Sequence, residues 1–193
     1  MAAGETLSFA CACGTLRGEL RDVSPAGSTH VVCHCRDCRS AYTHLGRDDP
    51  GEVGILQTTQ DRVAFTAGRE HLGLFRHTPK GAMRWFARCC GSPLFHTPTG
   101  ARLVHAGLNA DRLDDPKAAG PVDAQAFVPK PGGGATHKGL ARMVTRMASR
   151  IAAGNLSGGW RDSPFFDDAG APVVAPQVLG KADRAAALSK LRR

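Results

Sequence analysis

The sequence predicts a mainly β fold, and three observations carry that prediction. Short β-branched and apolar runs recur through the first hundred residues. Turn signals of Gly, Pro and Asp separate them. The long helical patterns that a βαβ arrangement needs between its strands are missing from that stretch.

Taken in order, Thr6–Ala12, the pair Cys13-Gly14 and Leu16–Leu20 read as a strand, a tight turn and a returning strand. A polar link, Asp22–Ser28, leads to the apolar, β-branched run Thr29–Cys33. Further strands are expected at Gly54–Thr59, Val63–Ala67, His71–Arg76, Ala82–Arg88 and Leu103–Ala106. Asp48-Asp49-Pro50-Gly51, Thr78-Pro79-Lys80-Gly81 and Thr97-Pro98-Thr99-Gly100 mark turns between them. After residue 120 the pattern changes. Lys130-Pro131-Gly132-Gly133-Gly134 is a flexible break, and Thr136–Ala153 reads as a helix. Leu140, Met143, Val144, Met147 and Ile151 fall on one face of it, with Lys138, Arg142, Arg146 and Arg150 on another. Asp183–Arg193 is a candidate final basic helix. The expected organisation is a domain over residues 1–120 and a basic C-terminal extension over 121–193.

Composition bounds the function. The chain has 193 residues, 42% hydrophobic and 22% charged, ordinary for a globular protein that buries a core. No run approaches the roughly 18 apolar residues of a membrane span. The N-terminal residues show neither the basic nor the apolar region of a signal peptide, so the expected location is cytoplasmic. The net charge of +8 is uneven: residues 1–119 hold 14 Lys/Arg against 12 Asp/Glu, and residues 120–193 hold 11 against 5. All seven cysteines lie in the near-neutral part. Reducing cytosol disfavours disulfides, so clustered thiols there point to metal or catalysis.

Cys33-His34-Cys35-Arg36-Asp37-Cys38 is the most informative stretch. A C-x-C-x-x-C loop can turn three sulfurs toward one centre. Thiolates suit Zn²⁺, which takes four ligands at about 2.3 Å. Three local sulfurs leave a fourth position for water, substrate or a distant residue, which is how a catalytic zinc is arranged. Arg36 and Arg39 would offset the net −1 of a zinc–trithiolate unit and are candidates to attract an anionic substrate; plain solvation is the alternative. Cys11, Cys13, Cys89 and Cys90 form a second, dispersed set that would staple distant parts of the chain. The alternative for Cys89 or Cys90 is a buried apolar role. His96 and His105 on strand-like segments fit a core or surface role better than ligation.

Cys11-Ala12-Cys13-Gly14, then Cys33-His34-Cys35-Arg36-Asp37-Cys38-Arg39, then Cys90-Gly91-Ser92-Pro93-Leu94 after Arg84-Trp85-Phe86 together resemble the glutathione-dependent formaldehyde-activating enzyme family, which includes centromere protein V. The resemblance spans roughly residues 5–110. It implies a β-tent of small antiparallel sheets built around two zinc sites. Cys33, Cys35 and Cys38 would hold a catalytic zinc, while Cys11, Cys13 and Cys90 would belong to a structural one. It implies carbon–sulfur lyase chemistry on glutathione and formaldehyde, with a substrate thiol at the open zinc position. His34, matched in the family motif, is a candidate to line that position. One departure stands out: the family's late motif expects cysteine at position 87, and here Ala87 precedes Arg88-Cys89-Cys90. Either Cys89 substitutes on a changed backbone, or three sulfurs remain, or the thiols merely pack. Adjacent cysteines on an extended strand face opposite ways, so a degenerate site is the favoured expectation, with one or two zinc ions in all.

The leading expectation is thus a zinc-dependent enzyme acting on a glutathione-like thiol and a small aldehyde. The alternative is a non-catalytic zinc-stabilised module whose basic C-terminal part binds an acidic partner such as nucleic acid. An iron–sulfur protein fits less well, because the spacing is not that of the usual clusters.

Overall fold

The structure of the protein, a computed structural model, describes residues 4–192. It is mainly β, in two sheets with three helices. β1 (Glu5–Ala10), β2 (Arg17–Val23) and β5 (Val63–Ala67) form a three-stranded antiparallel sheet. The second sheet has nine strands. Its middle is antiparallel, in the order β3 (Thr29–Cys33), β4 (Val53–Thr58), β9 (Ala106–Asn109), β8 (Ser92–Thr97), β7 (Met83–Ala87) and β6 (Leu72–Arg76). Later residues extend both edges. β10 (Ala124–Pro129) adds parallel to β3 and carries β11 (Ala135–Lys138), and β12 (Gln177–Val178) adds parallel to β6.

Most strands lie where hydrophobic alternation puts them, because each buries one face in a core. The two sheets enclose the larger core: Phe9, Leu20 and Val63 from the small sheet, with Leu16 just before β2, meet Leu56, Leu72, Trp85, Phe95 and Leu108 from the large one. Trp85 donates its indole N–H to Thr97 Oγ1 at 2.9 Å, so even this ring is satisfied inside the core. Some segments depart from expectation: β8, β10 and β12 are strands where none was expected. The strand expected over Leu103–Ala106 starts only at Ala106, because residues 101–103 turn and leave Leu103 exposed. β8 is a central strand despite Pro93, which sits where the pairing with β7 shifts register and no ladder donor is required.

The opposite face of the large sheet is covered by α1 (Arg36–His44), a helix that the loop-like reading of the cysteine motif did not anticipate. Cys35 is its N-cap, the sulfur accepting from the Cys38 N–H at 3.3 Å, a role usually taken by Ser, Thr, Asp or Asn. α1 packs Cys38 and Tyr42 onto Val31, Cys33, Val53 and Ile55.

The C-terminal residues join this body. α2 (Leu140–Leu156) begins four residues later than the expected start at Thr136, since residues 135–138 pair as β11. Its packed side combines Met143, Met147 and Ile151 with Arg146 and Arg150, while Leu140 and Val144 face outward. Gly154 lets α2 pack closely against Val104, since a Cβ there would lie 3.0 Å from Val104 Cγ1. Phe165 is fully buried among Phe65, Phe95 and Trp85. α3 (Lys181–Ser189) lies against α1, where Thr43 Oγ1 donates to the Ala187 carbonyl at 2.7 Å.

Candidate metal centre

Two groups of cysteine sulfurs form, each with its sulfurs within 4.8 Å of one another. Both can hold a metal ion.

The first contains Cys11, Cys13, Cys89 and Cys90. Cys11 and Cys13 lie in the turn between β1 and β2, and Cys89 and Cys90 in the turn between β7 and β8. The Cys11–Cys13, Cys11–Cys89, Cys13–Cys89 and Cys89–Cys90 sulfur separations are 3.5, 3.7, 3.4 and 4.0 Å. A tetrahedron with bonds of about 2.3 Å has edges of about 3.8 Å, so the donor set fits zinc. The expected degenerate site is therefore corrected: all four sulfurs converge. The reason is local. Cys89 and Cys90 are not on an extended strand but in a tight turn, in which the Gly91 N–H bonds to the Ala87 carbonyl at 2.8 Å. The alternation that would separate adjacent side chains does not apply there. Gly91 adopts a left-handed φ of 65°, and a Cβ on it would lie 2.7 Å from the Leu45 carbonyl oxygen. Arg47 donates to the Cys90 carbonyl and pins the turn to the end of α1. Ala87 is wholly buried in the main core. The Leu16 N–H bonds to Cys11 Sγ at 3.3 Å, and Ser92 Oγ lies 3.1 Å from Cys90 Sγ.

The second group contains Cys33, Cys35 and Cys38, the end of β3 and the first turn of α1. Cys33 and Cys38 are buried and Cys35 is half-buried, so the group reaches the surface at the Cys35 side. Among the described residues no fourth Cys, His, Asp or Glu joins it. Two residues that sequence reasoning did not assign to it stand beside it. Arg84 on β7 donates Nη1 to Cys38 Sγ at 3.5 Å. Its cross-strand partner is His96 on β8, whose ring also covers Gly107. Among the described residues no carboxylate pairs with Arg84. Its counter-charge is the sulfur group.

The electrostatics follow from that placement. Hydrogen bonds from Cys33 and Cys35 hold the Cys38 thiol well below its usual range, and the Arg84 charge acts the same way. Although burial works against the charged form of Arg84, the Cys38 thiolate holds its guanidinium more firmly protonated than usual. Hydrogen bonding to Cys35 pushes Cys33 in the opposite direction, upward. Burial pushes the His96 imidazole down to about 4, with Arg84 adding, so this ring is neutral at neutral pH. The signal for Arg84 and His96 was a charged residue and a histidine at facing positions on neighbouring strands, which requires the strand pairing to read.

The other candidates are placed elsewhere. His34 Nδ1 lies 3.6 Å from Glu52 Oε2, outside the sulfur group. Arg36 is exposed. Arg39 has its donors used within the protein: it forms a two-point ion pair with Asp49 and also donates to the Arg192 carbonyl at 2.7 Å. Its role as an anion attractor is corrected on that ground.

The comparisons with known proteins add little about chemistry. A family model described as "Family of unknown function (DUF6151)" matches residues 4–176. No curated protein matches the chain. A crystal structure of a Rhodobacter sphaeroides protein is 22% identical over 62% of this chain and 99% of that one, with a TM-score of 0.43. No helix among the described residues is long and apolar enough to cross a membrane.

Proposed function

We propose that this chain, which belongs to the family of unknown function DUF6151, is a zinc protein that joins a small thiol to a small aldehyde at Cys33, Cys35 and Cys38. In this reading the chemistry is of the carbon–sulfur lyase type, and Cys11, Cys13, Cys89 and Cys90 hold a purely structural ion. The observation that carries it is the inequality of the two groups: one presents four sulfurs, the other three beside a buried cation. The motif resemblance to glutathione-dependent formaldehyde-activating enzymes supports the same substrates.

The donor sets suit zinc in both places. A bound zinc at the three-sulfur group would supply Lewis acidity, lowering a thiol's pKa and polarising a carbonyl. The chain's own residues would do the rest. Arg84 balances the negative charge of the sulfurs, so the group can sit under α1 without an uncompensated charge. Val31, Val53, Ile55 and Tyr42 exclude water from its inner side. The half-buried Cys35 leaves the approach for a substrate.

The alternative of a non-catalytic module with a basic binding surface has less support. Arg146 pairs with Asp123 at 3.0 Å, and Arg150 is buried with a bond to Thr29 Oγ1 at 2.9 Å. Two of the three arginines of this row that lie on α2 are thus engaged within the protein, and Lys138 lies in β11 instead of on the helix.

The test is elemental analysis together with exchange NMR of formaldehyde and glutathione. The expected result is two zinc ions per chain, an exchange rate above buffer, and loss of that rate in Cys35→Ser. Zinc-loaded protein that gives no rate above buffer sinks the catalytic reading.

A further inference from the structure

Among the described residues, two polar atoms beside the sulfur group have nothing to bond to. Arg84 Nε is buried and unpaired, although its own Nη1 is spent on Cys38 Sγ. His96 Nδ1, across the strand pair from Arg84, is buried and unpaired as well. An unmet guanidinium N–H in the interior costs more than an ordinary lost hydrogen bond, and native proteins rarely leave one. On facing residues, both on the sheet face that α1 covers, a guanidinium N–H and an imidazole nitrogen are left for one polar group to satisfy. Neither is needed to bind the metal: the donors are the three cysteines, and the charge balance needs only the Nη1 contact.

We propose that Arg84 and His96 form an oxygen subsite beside the three-sulfur group, which selects thiols bearing a hydroxyl or carbonyl oxygen close to the sulfur. This inference rests on the open-position reading above. A neutral oxygen fits better than a carboxylate. The Arg84 charge is already balanced by the sulfurs, and His96 is uncharged, so a second full negative charge would enter without a partner. A hydroxyl or carbonyl oxygen accepts from the guanidinium Nε–H and meets the imidazole, satisfying both atoms at once. An oxygen one or two carbons from the sulfur is close enough to make this contact, and the hydroxyl created when a thiol adds to an aldehyde lies one carbon from it. Arg84 would then be a specificity residue, distinct from its charge-balancing contact with Cys38.

The experiment uses full-length protein with cobalt in place of zinc, whose visible absorption reports any thiol that joins the three sulfurs. Two probes of nearly equal size are titrated: 2-mercaptoethanol and 1-propanethiol. Wild-type protein is expected to bind 2-mercaptoethanol about tenfold more tightly, the worth of a hydrogen bond to a charged donor, against the opposite bias of an apolar pocket. Arg84→Lys keeps a positive charge for Cys38 but lacks the Nε–H. It is expected to lose the preference, read as the ratio of the two thiol affinities within the same variant, whatever its effect on binding of either thiol alone. His96→Leu tests the imidazole contact independently, with cobalt content per chain and circular dichroism showing that each variant is folded and loaded. Equal affinities in wild type, or a preference that survives both substitutions, overturns the subsite and leaves the open position standing. If neither thiol changes the wild-type spectrum, the open position itself fails, and the subsite with it.

Discussion

Arg39 and Asp49 join the first turns of α1 to the C-terminus of the chain. The Arg39 Nε donates to Asp49 Oδ1 at 2.9 Å, its Nη2 bonds the other carboxylate oxygen, and the Arg192 backbone N–H bonds that same oxygen at 2.7 Å. The Gly51 N–H completes the set at 2.9 Å. Asp49 is buried and every lone pair that matters is used, the condition under which an interior carboxylate is tolerated.

Asp49→Asn should therefore destabilise the protein by about 3 kcal/mol, the cost of leaving one partner of a buried pair uncompensated. The sign of the pH dependence is fixed. Arg39 beside it holds the Asp49 carboxyl well below the usual carboxylate range. Its contribution is full above the unfolded value of about 4 and is lost as pH falls through the lower folded value. Urea unfolding of both proteins at pH 7 and near pH 3 should show the gap between them shrinking in acid. A gap that widens there would contradict the assignment.

Cys89→Ser should remove one metal ion per chain and leave the other. A loss of about 3 kcal/mol at this size lowers Tm by roughly 6–12 °C. Metal analysis and a thermal melt check both, and retention of two ions would show that Cys89 is dispensable.

Phe165→Ala should cost about 3–5 kcal/mol, because a fully buried ring with three aromatic neighbours leaves a cavity when truncated. A chemical-denaturation midpoint that barely moves would mean that residues 163–166 do not belong to the main core.

Arg150→Met should be neutral or stabilising. Arg150 is buried with Nε and Nη2 unpaired, and burial lowers its pKa to about 10. Met fills similar space without the desolvated charge. A drop in Tm beyond about 3 °C would show that the Thr29 contact is worth more than the burial costs.

How far the sequence could be read depended on the range of the physics involved. Thr29–Cys33 and Val63–Ala67 are strands over the expected residues, because alternation and flanking turns are local signals. The three-sulfur group was legible from spacing alone. α1 was not, since a nine-residue helix with a thiol N-cap and Ser, Tyr, Thr and His in its body carries little propensity of its own. It is held by packing on the sheet. Strand alternation does not foretell the convergence of Cys89 with Cys90, because these residues lie in a turn. Arg84 and His96 depend on register between β7 and β8, which shifts at Phe86 and which no local pattern encodes.

The turn that carries Cys89 and Cys90 also sets an order of events as the chain is made. Cys13 and Cys89 are 76 residues apart, so the four-sulfur group cannot assemble until the later turn has left the ribosome. At roughly 5–20 residues per second, Cys11 and Cys13 wait about 4–15 s with only each other for company. Cys33, Cys35 and Cys38, six residues from end to end, emerge together within about a second. The nascent chain thus presents a complete three-sulfur set to any passing ion well before its four-sulfur set exists.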